Sequence, residues 1–251
     1  MRSLLLVARR EFRAYWSSPI AYAVLSIYLV LSGLFFFGEL SQFVGMVQSS
    51  GAKGVDVNQQ MIRPYFYSVS VMILFLLPMI TMRLLAEERR QGTLEVLLTT
   101  PIPEWSLVLG KFAAAFALLG ALLLGSVFHV GILFMVGDPD PGPVLTGFLG
   151  LLLTGAVYIS LGIFFSSLTQ NQVVAGAISF SLFLLLWLIG WAGGLVSGAG
   201  AEILGYISLA GHFDNFGRGV LDTSDLVFYL SWILAGLYAA IESVRSTRWK
   251  T

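Results

Sequence analysis

The chain has 251 residues, 57% of them hydrophobic and only 11% charged, with 14 basic residues balanced by 14 acidic ones. A soluble domain carries about 25% charged residues, so much of this surface must be solvated by a bilayer, where one helical span takes ~20 residues. Six spans would use ~120 residues, which argues against an attached nucleotide-binding or catalytic domain, while the lack of cysteine excludes disulfides and thiolate metal sites.

Residues 2–18 have a helical pattern. Leu5, Ala8, Phe12, Tyr15 and Trp16 fall on one face, and Arg2, Arg9 and Arg13 on another. A basic amphipathic helix with aromatic residues can lie in the headgroup plane or serve simply as a topology anchor, and one helix can do both. Pro19 then turns the chain into a first span over 20–38. The apolar run is long and no small-x-small cleavage site follows, so this reads as an uncleaved helix. Residues 39–64, with Gly51, Gly54, Asp56 and Asn58, read as a flexible or partner-contacting loop.

The second span covers 65–85 and is uncharged up to Arg83. The connection over 86–101 holds Glu87, Glu88, Arg89 and Arg90, then Gly92 as a break and Thr93 as an N-cap for a short helix from Leu94. Glu95 sits in its first turn, where the helix dipole favours an anion. Leu94, Leu97 and Leu98 make one apolar face that something must cover, either the protein's own helix ends, the membrane surface or a partner.

The third span covers 105–136, with Lys111 one turn inside, where it can snorkel to the interface. His129 lies in its outer part without a charged companion in another span and reads as a neutral, hydrogen-bonded histidine at a helix interface. Residues 138–143 form a stiff Asp-Pro turn. The polar run 166–172 divides the next apolar stretch into spans at 144–165 and 173–196. Residues 201–225 are amphipathic and too polar to span, and a last span covers 226–242.

With six spans both termini share a side, together with the 86–101 and 166–172 connections. That side holds Arg2, Arg9, Arg10, Arg13, Arg83, Arg89, Arg90, Lys111, Arg245, Arg248 and Lys250, leaving Lys53, Arg63 and Arg218 on the other. The positive-inside rule predicts cytoplasmic termini.

The string Met82-Arg83-Leu84-Leu85-Ala86-Glu87-Glu88-Arg89-Arg90-Gln91-Gly92-Thr93-Leu94-Glu95-Val96-Leu97-Leu98-Thr99-Thr100-Pro101, followed by Leu109-Gly110-Lys111, resembles the ABC-2 class of ABC-transporter permeases. Glu11-Phe12-Arg13, Ser18-Pro19-Ile20-Ala21-Tyr22, residues 211–220 and the 245–250 tail resemble the GldF-type subgroup named after gliding motility. The resemblance implies an all-α polytopic membrane protein, one permease domain over 1–251, in the inner membrane. Residues 2–18, including Arg9, Arg10, Glu11, Phe12 and Arg13, would be its elbow helix. The 86–101 connection would be the coupling loop and helix, the helix running from Leu94, with Leu94, Leu97 and Leu98 entering a cleft on a separate ABC ATPase. Gly92 and Thr93 would set its start, and Glu87, Glu88, Arg89, Arg90 and Glu95 would make charged contacts around it.

The chain has no G-x-x-x-x-G-K-[ST] loop, since Gly110-Lys111 is followed by Phe112. ATP and magnesium would therefore sit on the partner, and no catalytic, cofactor or metal site is expected on this chain. Residues 201–225 would form short extracytoplasmic helices, either dipping back into the outer leaflet or lying on its surface, with His212, Phe213, Phe216 and Arg218 as candidate gate residues. Partners would be the ATPase, a second copy or paralogous permease, an extracytoplasmic accessory subunit and the bilayer, with no nucleic acid. The competing reading is a stand-alone carrier of a neutral or amphipathic solute, although no internal repeat supports one.

Overall fold

The structure is a computed structural model that describes residues 2–50, 56–93, 103–136, 139–193 and 199–248. Its helices are α1 (Arg2–Ser17), α2 (Pro19–Ser50), α3 (Arg63–Thr81), α4 (Ala86–Arg90), α5 (Glu104–Val136), α6 (Pro141–Leu168), α7 (Gln172–Gly193), α8 (Ala199–Ile207), α9 (Leu209–Gly217) and α10 (Thr223–Arg248). No strand occurs among the described residues. Six helical segments are long and apolar enough to cross a membrane.

The first span extends well beyond the expected 38. Leu40, Phe43, Val44 and Val47 repeat at helical spacing, and Leu40 and Phe43 pack on the core. Residues 39–50 are thus helix rather than loop, because no proline interrupts this periodicity. Further along, Asn58–Ile62 form a π turn that runs directly into α3. Pro64 has no N–H to give the Gln60 carbonyl, and the helix widens just before it. The Asn58 side chain donates to the Asp140 carbonyl at 2.8 Å and accepts from its N–H at 3.1 Å. Asp140 also caps α6 through Gly142 N at 3.0 Å. The Asp-Pro segment is therefore an anchor between two helix starts, and more than a stiff turn.

Helix α6 is the centre of the bundle, packed on α10, α3, α9, α7 and α5. Its small residues permit this. A Cβ at Gly162 would collide with the Thr81 side chain of α3. In the membrane interior the Tyr28 hydroxyl of α2 lies 2.5 Å from Ser126 Oγ of α5. The Tyr65 hydroxyl of α3 lies 3.0 Å from the same Ser126 Oγ and 3.1 Å from His129 Nδ1. Three helices share this polar tie, and His129 is hydrogen-bonded at a helix interface as expected.

Helix α1 packs along α5. Its inward stripe is Ser3, Val7, Glu11 and Tyr15, offset from the apolar face read in the sequence. Val7 and Tyr15 are buried, while Leu5 and Leu6 are exposed. The approach is close, since a Cβ at Gly110 of α5 would stand 2.7 Å from Val7 Cγ1. Ser106 and Ser3 hydroxyls meet at 2.9 Å. Because the chain has no native cysteine, a Ser3→Cys/Ser106→Cys variant should cross-link almost fully on mild oxidation, and adding Gly110→Val should cut the yield severalfold. An unchanged yield on gel electrophoresis would refute this packing.

Candidate functional site

The candidate site lies at the end of the bundle that carries α1 and α4. Helix α3 stops at Thr81, and the chain turns before resuming as α4. Ser166 of α6 holds that turn, accepting the N–H groups of Leu85 and Ala86, each at 3.0 Å, and donating to the Met82 carbonyl at 2.9 Å. Two backbone donors freed by the break are thereby satisfied. Sequence reading missed Ser166 because it saw the 166–172 run as a polar interruption. A serine one turn before the end of an apolar span was the available signal.

Helix α4 then brings charges from three helices together. Lys111 of α5 is 1% exposed and lies 3.2 Å from Glu11 Oε1 of α1 and 2.9 Å from Glu88 Oε1 of α4. Arg10 joins from the outside, at 2.6 Å from Glu11 Oε1 and 2.9 Å from Glu88 Oε1. Lys111 therefore does not snorkel. Helix α1 covers the start of α5, and two carboxylates replace the water the ammonium would otherwise reach. Burial alone would raise the Glu11 carboxyl, but Lys111 and Arg10 outweigh it and hold it below the usual carboxylate range.

A cavity of about 250 Å³ opens beside this cluster, lined by Glu11, Tyr15, Ser18, Arg83, Glu87, Glu88 and Lys111 among others. Arg83 sits over the Tyr15 ring at 5.7 Å and donates to Ser18 Oγ at 3.3 Å. Burial pushes the Tyr15 hydroxyl well above its ordinary value, and Glu11 adds to the effect. Glu88 Oε2 and the Tyr15 hydroxyl are buried without a hydrogen-bond partner among the described residues.

The other expected contact residues divide. Glu87 accepts from Gln91 at 3.0 Å, Arg89 donates to Thr247 of α10, and Arg90 is exposed. Gly92 adopts φ +69°, a left-handed turn that glycine favours, so the expected break is present. Thr93 bonds back to the Glu88 carbonyl at 3.2 Å. Leu94, Glu95, Leu97 and Leu98 lie outside the described residues. Of the α1 residues, Arg9 and Arg13 are exposed, Arg10 and Glu11 enter the charge cluster, and Phe12 packs edge-on against Trp16 at 6.0 Å.

At the opposite end the four candidate gate residues do not converge. His212 Nδ1 lies 2.5 Å from Asp225 Oδ1 and its Nε2 lies 2.9 Å from the Tyr206 carbonyl. Its ring stacks on Phe228 at 4.0 Å. Phe213 and Phe216 are buried, meeting α6 at Gly150. Arg218 is exposed and pairs with Asp214 at 2.7 Å. Asp225, buried and also bonded by Asn215 at 2.9 Å, was missed. An acid just ahead of an apolar span, thirteen positions after a histidine, was its only trace. Among the described residues no group of three or more His, Cys, Asp or Glu side chains is placed to hold a metal ion.

The family model described as ABC-2 family transporter protein matches residues 5–241. The chain belongs to the ABC-2 transporter family. It is thus a multi-pass membrane component of an ABC transporter and not itself a catalytic subunit. A comparison with curated proteins finds no match.

Two outcomes follow from the charge cluster of this ABC-2 protein. Lys111→Met leaves two half-buried carboxylates with only Arg10, and should cost about 3 kcal/mol in thermal unfolding of the purified protein, the low end for breaking a buried pair. A cost below 1 kcal/mol would contradict the pairing. The depressed Glu11 carboxyl stabilises the fold above its unfolded value of ~4.3 and loses that contribution as pH falls through the folded value. Acidification from about pH 5 to 3 should therefore lower the unfolding temperature more in the native chain than in Glu11→Gln.

Proposed function

We propose that this chain is the membrane-spanning half of an ATP-driven exporter of GldF-like type, worked by a separate ABC ATPase that holds the ATP and magnesium. The reading places the α1/α4 end and both termini in the cytoplasm of a bacterial inner membrane. The distribution of basic residues supports that orientation. Two permease chains, identical or paralogous, would complete the pathway.

One observation carries the mechanism. Glu88, a few residues before the leucine-faced segment, is bonded to Lys111 of α5 and Arg10 of α1, while the backbone just before it is held by Ser166 of α6. A displacement of the 86–101 connection cannot leave these helices where they are without breaking these ionic and hydrogen bonds. The ATPase would engage Leu94, Leu97 and Leu98, and its closure on ATP would pull or push the connection as a unit. Helices α5, α1 and α6 would then move with it. Arg90 and Glu95 would supply the rim contacts, with Glu87, bonded to the neighbouring Gln91, beside them, since Glu88 and Arg89 are tied to other helices.

The test is ATP hydrolysis by the co-purified ATPase in lipid vesicles, with and without the permease. Leu97→Asp and Glu95→Lys should leave the permease monodisperse but reduce its effect on hydrolysis by at least about tenfold, as expected for loss of an interface anchor. Unchanged hydrolysis and unchanged complex formation in both variants would sink the coupling assignment.

A further inference from the structure

Two cavities meet on the side of the bundle formed by α2, α3 and α7. One, of about 400 Å³, lies at the end opposite Lys111, with Glu39 of α2, Arg63 of α3 and Asp214 of α9 in its wall. The other, of about 480 Å³, is apolar and runs between Phe35 of α2, Phe75 of α3 and Trp187 of α7. Both include Tyr67 and Ser68, so the polar space continues into the apolar one. From Arg63 to Leu76 helix α3 rises about 20 Å, more than the ~15 Å of one hydrocarbon leaflet.

The charges in the polar part are arranged as a dipole. Asp214 is shared by Arg63, whose Nε lies 3.1 Å away, and by Arg218 at 2.7 Å. Arg218 engages that carboxylate from outside the cavity lining, so among the described residues Arg63 is the one cation in the wall and its partner carboxylate is shared with a second guanidinium. Glu39, on the facing helix, has no ion-pair or hydrogen-bond partner among the described residues. An anionic headgroup would meet Glu39, and an uncharged one would leave both walls unmatched.

From this charge complementarity and its continuity with the apolar cleft, we infer that the groove binds a zwitterionic phospholipid. The lipid ammonium pairs with Glu39, the phosphate lies against Arg63, and one acyl chain fills the cleft between Phe35, Phe75 and Trp187. The geometry is that of headgroup selection by a fixed pair of opposite charges, with chain burial supplying most of the affinity. The site belongs to this chain alone and does not depend on coupling to an ATPase.

The experiment uses the purified full chain, without ATPase, in phosphatidylglycerol vesicles containing a trace of photoactivatable phosphatidylethanolamine. Labelled peptides are mapped by mass spectrometry. The label should concentrate in residues 63–76 and be displaced by unlabelled phosphatidylethanolamine but not by diacylglycerol. Glu39→Gln should reduce it about tenfold through loss of a charge-assisted bond. Ser68→Trp, which fills the junction of the two cavities, should abolish it, and Leu230→Trp on exposed α10 should leave it unchanged. Even labelling of all exposed helices, or indifference to both Glu39→Gln and Ser68→Trp, would overturn the proposal. So would an unlabelled groove in which a Phe75→Cys variant cross-links efficiently to a second copy, because the face would then be a contact between chains.

Discussion

The buried ammonium of Lys111 is the constraint on which the rest of one end of this protein depends. A lysine at 1% exposure in a chain with few charges must be compensated, or the helix carrying it must shift until water is reached. Here the compensation comes from two other elements, Glu11 of α1 and Glu88 of α4. Both are polar segments that hydrophobic burial alone would hold poorly. The ionic bonds therefore set where α1 lies and how α4 leaves the membrane, and Arg10 closes the cluster on its outer side. The close approach of Val7 to Gly110 supports the same placement by packing.

The two ends of the bundle solve the same problem differently. Opposite Lys111, helix starts are tied by neutral and ionic bonds between segments far apart in the chain. Asn58 bonds Asp140 through both of its amide atoms, and His212 bonds Asp225. These ties hold α9 inside the bundle, with Phe213 and Phe216 buried. At the α4 end, by contrast, a single five-residue helix is joined to α1, α5 and α10 by charged side chains. On the coupling proposed above, a displacement of this segment would be felt by several helices at once.

Much of this was legible in the sequence because bilayer physics leaves a strong mark. Long apolar runs pointed to six spans, and six helical segments among the described residues are long and apolar enough to cross a membrane, while Gly92 marked a chain break at a residue with positive φ. What stayed hidden were pairings across long separations. Nothing in the local pattern around Glu11 says that it meets a lysine one hundred positions on. Lys111 itself reads as an interfacial residue, because a lysine near a span end normally reaches water along its own helix. The inward face of α1 was misplaced because the apolar and aromatic residues were followed, whereas the stripe that faces α5 includes Ser3 and Glu11. The extension of α2 past Glu39 was legible in the spacing of Leu40, Phe43, Val44 and Val47 but was outweighed by the glycines that follow.

The central claim is that Lys111 and Glu11 form one buried unit rather than two independently placed charges. A double-mutant cycle measures this directly, comparing thermal unfolding of the native chain, Lys111→Met, Glu11→Gln and the double variant. The account predicts a coupling energy of at least about 1 kcal/mol, with Glu11→Gln restoring part of what Lys111→Met loses. Strictly additive effects would contradict it and would mean that α1 is held to α5 by packing alone.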